Sequence, residues 1–308
     1  MTFKHLFITS LFFLPAVGLN AQSARRYKDL LFGDVTIGYD LSYNPAADVK
    51  EKKAYLFDLY QPEGDRDKRR PLIVWMHGGG FKYGSKSAKG IRLWCKTFAQ
   101  RGYVCAGINY RLSKKNPVFH FDQLLKASYY AVQDVKTAVD YFKKHAAQYG
   151  IDPDKIILAG NSAGGMIALQ AAYSSNRELA GMAKLPEDKA AINKPNDRVK
   201  VAAIINFWGA IYDLNWLKNA RVPIVSALGS KDPIVPPAHK NTPLFGGEDI
   251  HQRADSLEIP NDLKVFEGYS HELQKHFNPF FAGGGSTQKR WLEAGQFAAD
   301  FLFKTIIK

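Results

Sequence analysis

Only two cysteines occur in 308 residues, Cys95 and Cys105, and no histidine cluster accompanies them. A thiolate zinc site, which draws several Cys and His ligands from close spacing, is excluded on supply alone. The pair could bridge a helix to the strand that follows it in an oxidising compartment, or both could be small buried residues. Spacing does not decide between these, because a bridge depends on how closely the Cα atoms approach. Acidic residues are in the minority, 29 Asp and Glu against 42 Lys and Arg, for a net charge of +13. The basic residues are scattered rather than striped, however, and no DNA or RNA motif accompanies them, so nucleic acid is not the expected partner. Internal repeats, low-complexity tracts and linker-like stretches are also missing. With 46% hydrophobic residues the chain reads as one large core. The longest apolar run, residues 6–19, is interrupted by Thr9, Ser10 and Pro15. It falls short of the about 20 residues a membrane span needs. With Lys4 before it and Ala21-Gln22 after it, the run reads as a signal peptide over 1–21. The expectation is a single domain over 22–308, exported to the periplasm or beyond, with no integral membrane segment after cleavage. No cysteine near the cleavage point offers a lipid anchor.

What is present is an alternation of short strands and amphipathic helices. Apolar runs rich in β-branched and aromatic residues predict strands over 35–39, 53–60, 71–76, 103–110, 156–159, 201–207, 222–228 and 263–266. Ile91, Trp94, Cys95, Phe98 and Ala99 repeat at helical spacing up to Gly102. Ala131, Val132, Val135, Ala138, Val139 and Phe142 do the same before Gly150, and residues 163–173 and 291–303 predict two further helices. Near-continuous apolar strands alternating with helices imply a mostly parallel eight-stranded sheet covered on both faces. The fold class is α/β, with chemistry at the carboxyl ends of the strands.

Gly160-Asn161-Ser162-Ala163-Gly164 falls between a strand and a helix. A sharp strand-to-helix corner lifts its serine clear of the sheet and needs small neighbours for the chain to pass. The helix start behind it favours developing negative charge. Ser162 is therefore the candidate nucleophile, against the blander reading of a helix-capping serine. His77-Gly78-Gly79-Gly80-Phe81 follows the third strand. Three glycines let backbone amides approach an oxyanion, so the amides of Gly79, Gly80 and Ala163 are the candidate donors, and His77 is expected to brace the loop. The spacing of a phosphate-cradling loop is absent. Chain order in this architecture runs Ser, then acid, then His, on loops after the last two strands. His271, after a strand and a glycine turn, is the candidate base, with His276 behind it. Asp232, in the loop after the seventh strand, is the candidate acid, with Asp249, Asp255 and Glu267 as alternatives.

Together these residues resemble the HGGG-type α/β-hydrolase esterases, a broad family that includes carboxylesterases, hormone-sensitive-lipase-like enzymes and feruloyl esterases. The resemblance extends to Phe57-Asp58-Leu59-Tyr60-Gln61-Pro62 and Asn109-Tyr110-Arg111-Leu112. It implies a Ser162–Asp232–His271 triad and covalent acyl transfer without cofactor or metal. The acid loop Gly229-Ser230-Lys231-Asp232-Pro233 is closer to feruloyl and acetyl-xylan esterases, and Asn161 stands where hormone-sensitive-lipase relatives commonly carry Asp. The connection 209–221 is short where many lipases insert a lid, which leaves 174–200 as the other cover. An open cleft suits short-chain or carbohydrate-linked esters, with Phe81, Tyr83 and Trp208, then Tyr212 and Trp216, as candidate lining. A prolyl-oligopeptidase-type peptidase, a lipase and an inactive binding module on the same fold are the rivals.

Overall fold

A computed structural model of the chain describes residues 25–185, 197–240, 242–279 and 283–307; the signal peptide expected over 1–21 lies outside them. The strands are β1 Val35–Ser42, β2 Leu56–Pro62, β3 Arg70–Met76, β4 Val104–Ile108, β5 Ile151–Asn161, β6 Ala203–Phe207, β7 Ile224–Gly229 and β8 Asn261–Phe266. They form one eight-stranded sheet in the order β1-β2-β4-β3-β5-β6-β7-β8. β2 runs antiparallel to both neighbours and the remaining pairings are parallel. The helices are α1 Lys89–Ala99, α2 Phe121–Lys144, α3 Ala146–Tyr149, α4 Ala163–Tyr173, α5 Asn176–Met182, α6 Gly247–Ser256 and α7 Gly285–Leu302.

Strand periodicity divides the core in two. Along β3, Leu72, Val74 and Met76 join a cluster with apolar residues of α2 and α4, while Ile73 and Trp75 join another with α1 and α7. Successive strand side chains point to opposite faces, so a strand apolar at every position is buried on both sides. This is why the sequence runs were continuous rather than alternating.

The observed bounds depart from the expected ones where tertiary contacts outweigh local pattern. Residues 53–55, expected in β2, lie in a 3-10 turn, Lys52–Tyr55. β5 starts at Ile151, ahead of Asp152 and Pro153, because Ile151 pairs with Arg70. The register shifts between Arg70 and Leu72, an irregularity of the kind that accommodates a proline in a sheet. α2 is longer than its apolar stripe and ends before Gly150, which instead stops α3 at φ 63°.

Candidate active site

The order β4-β3-β5 places a switch in strand progression between β3 and β5, where α/β sheets open a crevice. Met76 pairs with Gly160, so the loops leaving the two strands start side by side. Ser162 occupies the corner between β5 and α4 at φ 53°, ψ −121°. Such a conformation costs a non-glycine residue about 1–3 kcal/mol and persists only where its surroundings enforce it. Its N–H donates to the Phe207 carbonyl at 2.8 Å, and α4 begins at the next residue. The flanking glycines are steric necessities. A Cβ on Gly160 would lie 2.3 Å from the carbonyl carbon of Gly164, and one on Gly164 would lie 2.0 Å from the Met76 oxygen.

The acid and base loops are joined by the same device. Gly229 pairs with Phe266 at the ends of β7 and β8. Beyond them the Ser230 amide donates to Phe266 O at 3.1 Å and the Lys231 amide to Tyr269 O at 2.9 Å. Oδ1 of Asp232 accepts from the amides of Ile234 and Val235 at 2.8 and 3.0 Å. That leaves Oδ2 facing His271 Nδ1 at 2.6 Å, and the other ring nitrogen, Nε2, is 2.9 Å from Ser162 Oγ. All three side chains are buried. With Nδ1 donating to the carboxylate, Nε2 presents its lone pair to the serine hydroxyl. That tautomer is required of a general base. The alternatives lie elsewhere: His276 is exposed, Asp249 accepts from His239 N and Gly246 N, Asp255 bonds Asn261, and Glu267 is exposed.

The glycine loop after β3 rests against Ser162. Gly78 N donates to Asn161 Oδ1 at 3.2 Å, and a Cβ on Gly78 would sit 3.2 Å from the Ser162 Cβ. Gly79 and Gly80 turn the chain at φ 110° and 59°. Among the described residues, the amides of Gly79, Gly80 and Ala163 donate to no protein acceptor, which leaves all three free for an oxyanion. His77 braces the loop as expected. Its Nδ1–H donates to Gly78 O at 2.7 Å, its ring stacks on Tyr110 at 4.4 Å, and burial pushes its pKa down to about 4.

The expected lining needs correction. Phe81 and Trp208 are wholly buried in the two core clusters and so do not line an open cleft. Tyr212 and Trp216 are core residues too, because the connection 209–221 folds inward through a bridge from Ile211 to Phe245. Tyr83, 66% exposed, is the one of the five at the surface. Only the ends of the 174–200 stretch, 174–185 and 197–200, are described.

Several positioning groups escaped the sequence reading. Asn161 holds the glycine loop, and Tyr110 donates its hydroxyl to His77 O at 2.7 Å. The strained residue after His271, Glu272 at φ 56°, is fixed by Trp291 Nε1 donating to its carbonyl at 2.7 Å, while Arg290 Nε holds Leu273 O. Burial raises the Glu272 carboxyl pKa. No local signal could have revealed these contacts, since the partners lie far apart in sequence or on opposite sides of a turn. Cys95 and Cys105 are free, buried thiols whose pKa values burial pushes well up, so they stay protonated. Among the described residues no group of His, Cys, Asp and Glu could hold a metal, and no helix is long and apolar enough to cross a membrane.

A serine corner after β5, an aspartate after β7 and a histidine after β8, set on this sheet, define an α/β-hydrolase fold. Residues 57–231, more than half of the chain, match the BD-FAE family, and the chain belongs to it. Over 216 residues, 70% of this chain and 44% of the relative, it is 28% identical to the probable carboxylic ester hydrolase LipM of Mycobacterium tuberculosis. It is 32% identical to the arylacetamide deacetylase of Bos taurus over 176 residues, 54% of this chain and 38% of that one. The chain thus spans less than half the length of these relatives. Among solved structures, a thermophilic esterase of Thermogutta terrifontis with bound propionate superposes with a TM-score of 0.58 at 22% identity, covering 86% of this chain and 93% of its own. The same organism's esterase 2 phosphorylated by paraoxon gives 0.57 at 24% identity, covering 89% and 95%. At such identities the likeness is one of fold.

Proposed function

We propose that the protein is a serine carboxylic-ester hydrolase acting through a covalent acyl-enzyme, with short-chain or carbohydrate-linked acetyl and feruloyl esters as substrates. The observation that carries this is the continuous relay from Asp232 through His271 to Ser162, at 2.6 and 2.9 Å, beside three uncommitted amides. His271 Nε2 takes the hydroxyl proton as Ser162 Oγ attacks the ester carbonyl. The oxyanion is held by the amides of Gly79, Gly80 and Ala163. Collapse of the tetrahedral species expels the alcohol, which leaves with the proton from His271. Water, deprotonated by the same ring, then attacks the acyl-serine and regenerates the free hydroxyl. Asp232 steadies the imidazolium at each stage. The names of two similar proteins, a probable carboxylic ester hydrolase and a deacetylase, support the ester assignment. Export, resting on the apolar run at 6–19, belongs to the same proposal.

The test is a p-nitrophenyl ester series from acetate to decanoate, run with methyl ferulate and acetylated xylan. Turnover should be greatest on the short esters and absent in Ser162→Ala, with the fold unchanged by circular dichroism. Paraoxon should add one covalent phosphoryl group to the wild type and none to the variant, read by intact mass. Full activity in Ser162→Ala would refute the assignment. Cleavage of peptide p-nitroanilides in place of esters would indicate a peptidase, and a rate climbing steeply with acyl length a lipase.

A further inference from the structure

A cleft of about 1070 Å³ is bounded by the two ends of the glycine loop, His77 and Gly84, and none of Ser162, Asp232 and His271 lines it. Its walls come from the segment ahead of β2, the segment after β4 and the first turns of α2. These meet at the nucleophile's end of the sheet, because β4 finishes at Ile108 and antiparallel β2 begins opposite it, Phe57 facing Ile108. β3 alone separates β4 from β5, so the wall of the cleft at the end of β4 starts two strand spacings, about 10 Å, from the strand that carries the Ser162 corner, and the wall ahead of β2 lies one strand further out.

The charge of this cleft is one-sided. Lys50, Lys53, Lys114, Lys115 and Lys126 line it, and none of their ammonium groups pairs with a carboxylate of any described residue. Asp48 and Glu51 are the lining carboxylates, so three positive charges are in surplus. Arg111 adds nothing to that surplus, since Asp134 answers it at 2.6 Å. Between the lysines lie the Ser113 hydroxyl, the Gln123 amide and the exposed Tyr130 and Leu112, with Arg111 over the Tyr130 ring, while the Asn109 amide is already committed, accepting from Lys86 N and donating to Lys53 O. A lone phosphate calls for donors converging on one point. Ammonium groups spread over three segments, with hydroxyl and amide partners and an exposed ring among them, suit carboxylates repeated along a chain of hydroxylated rings.

We propose that this cleft is a subsite for the uronate-bearing stretch of an acidic polysaccharide whose ester is attacked at Ser162, an assignment that rests on the esterase reading. The separation of cleft and nucleophile matches a saccharide reaching the triad with one unit while its acidic neighbours occupy the lysine-lined walls. Calorimetric titration with unesterified oligogalacturonide reads the cleft without turnover. The wild type should bind it, and the triple variant Lys50→Gln/Lys53→Gln/Lys126→Gln should bind about tenfold more weakly, three exposed ion pairs being lost. The ratio of kcat/KM on acetylated oligogalacturonide to that on acetylated xylo-oligosaccharide should fall by a similar factor, and in the wild type it should fall with added salt. No binding, equal binding by the variant, or equally tight binding of polyglutamate overturns the subsite. p-Nitrophenyl acetate, too small to span the two sites, separates the two failures. A wild type inert towards it refutes the esterase reading, whereas normal turnover with no preference for the acidic oligosaccharide refutes the subsite alone.

Discussion

Acidification should destabilise the protein through His77. The ring is buried against Tyr110, its Nδ1–H is committed to Gly78 O, and burial lowers its pKa from 6.5 to about 4. In the unfolded chain the same imidazole titrates near its ordinary value. Between those two values the unfolded state binds a proton that the folded state refuses. The stabilisation is therefore complete above about 6.5 and is lost as pH falls towards about 4. Each pH unit in that window costs about 1.4 kcal/mol, so the whole interval removes about 3 kcal/mol. That is a large fraction of the ~5–15 kcal/mol that holds a typical domain. His251, also buried and pushed down, contributes with the same sign. Urea unfolding from neutral pH down to about 4.5 measures the slope. His77→Gln keeps an amide donor for Gly78 O but has no proton to gain, so its stability should fall less steeply. Equal slopes in the two proteins would refute the assignment of the acid sensitivity to His77.

Two further substitutions probe the relay and the loop. Asp232→Asn retains an acceptor for the amides of Ile234 and Val235 but turns an N–H towards His271 Nδ1. The ring then carries its proton on Nε2, facing the nucleophile, and kcat on p-nitrophenyl acetate should drop by about 10⁴-fold with little change in KM; a loss of less than tenfold would mean the tautomer is set elsewhere. Gly79→Ala places a Cβ 2.2 Å from the Tyr83 carbonyl oxygen at φ 110°, so the loop must shift. A donor displaced by about 1 Å costs about 10²-fold in kcat/KM, while far-ultraviolet circular dichroism should be unchanged.

The local parts of this protein could be read from the order of its residues alone. A strand, a small-residue corner and a helix over 156–173 can hardly fold another way, so Ser162 was legible, and the order of the loops carried Asp232 and His271 with it. The two-faced burial of β3 and β5 was legible for the same reason, since continuous apolar strands have no polar side to offer water. Features that depend on convergence emerged only with the packed fold. Phe81 follows the glycine loop and Trp208 the end of β6, yet both turn into the core, because neighbouring layers on both faces of the sheet offer them burial. Asn161, Tyr110 and Trp291 became positioning groups only once their distant partners were adjacent. The lysines look scattered along the chain, yet three segments meeting at one end of the sheet gather five of them around a single cleft. Charge acts through space over roughly a Debye length, about 10 Å, and spacing along the chain does not measure that distance.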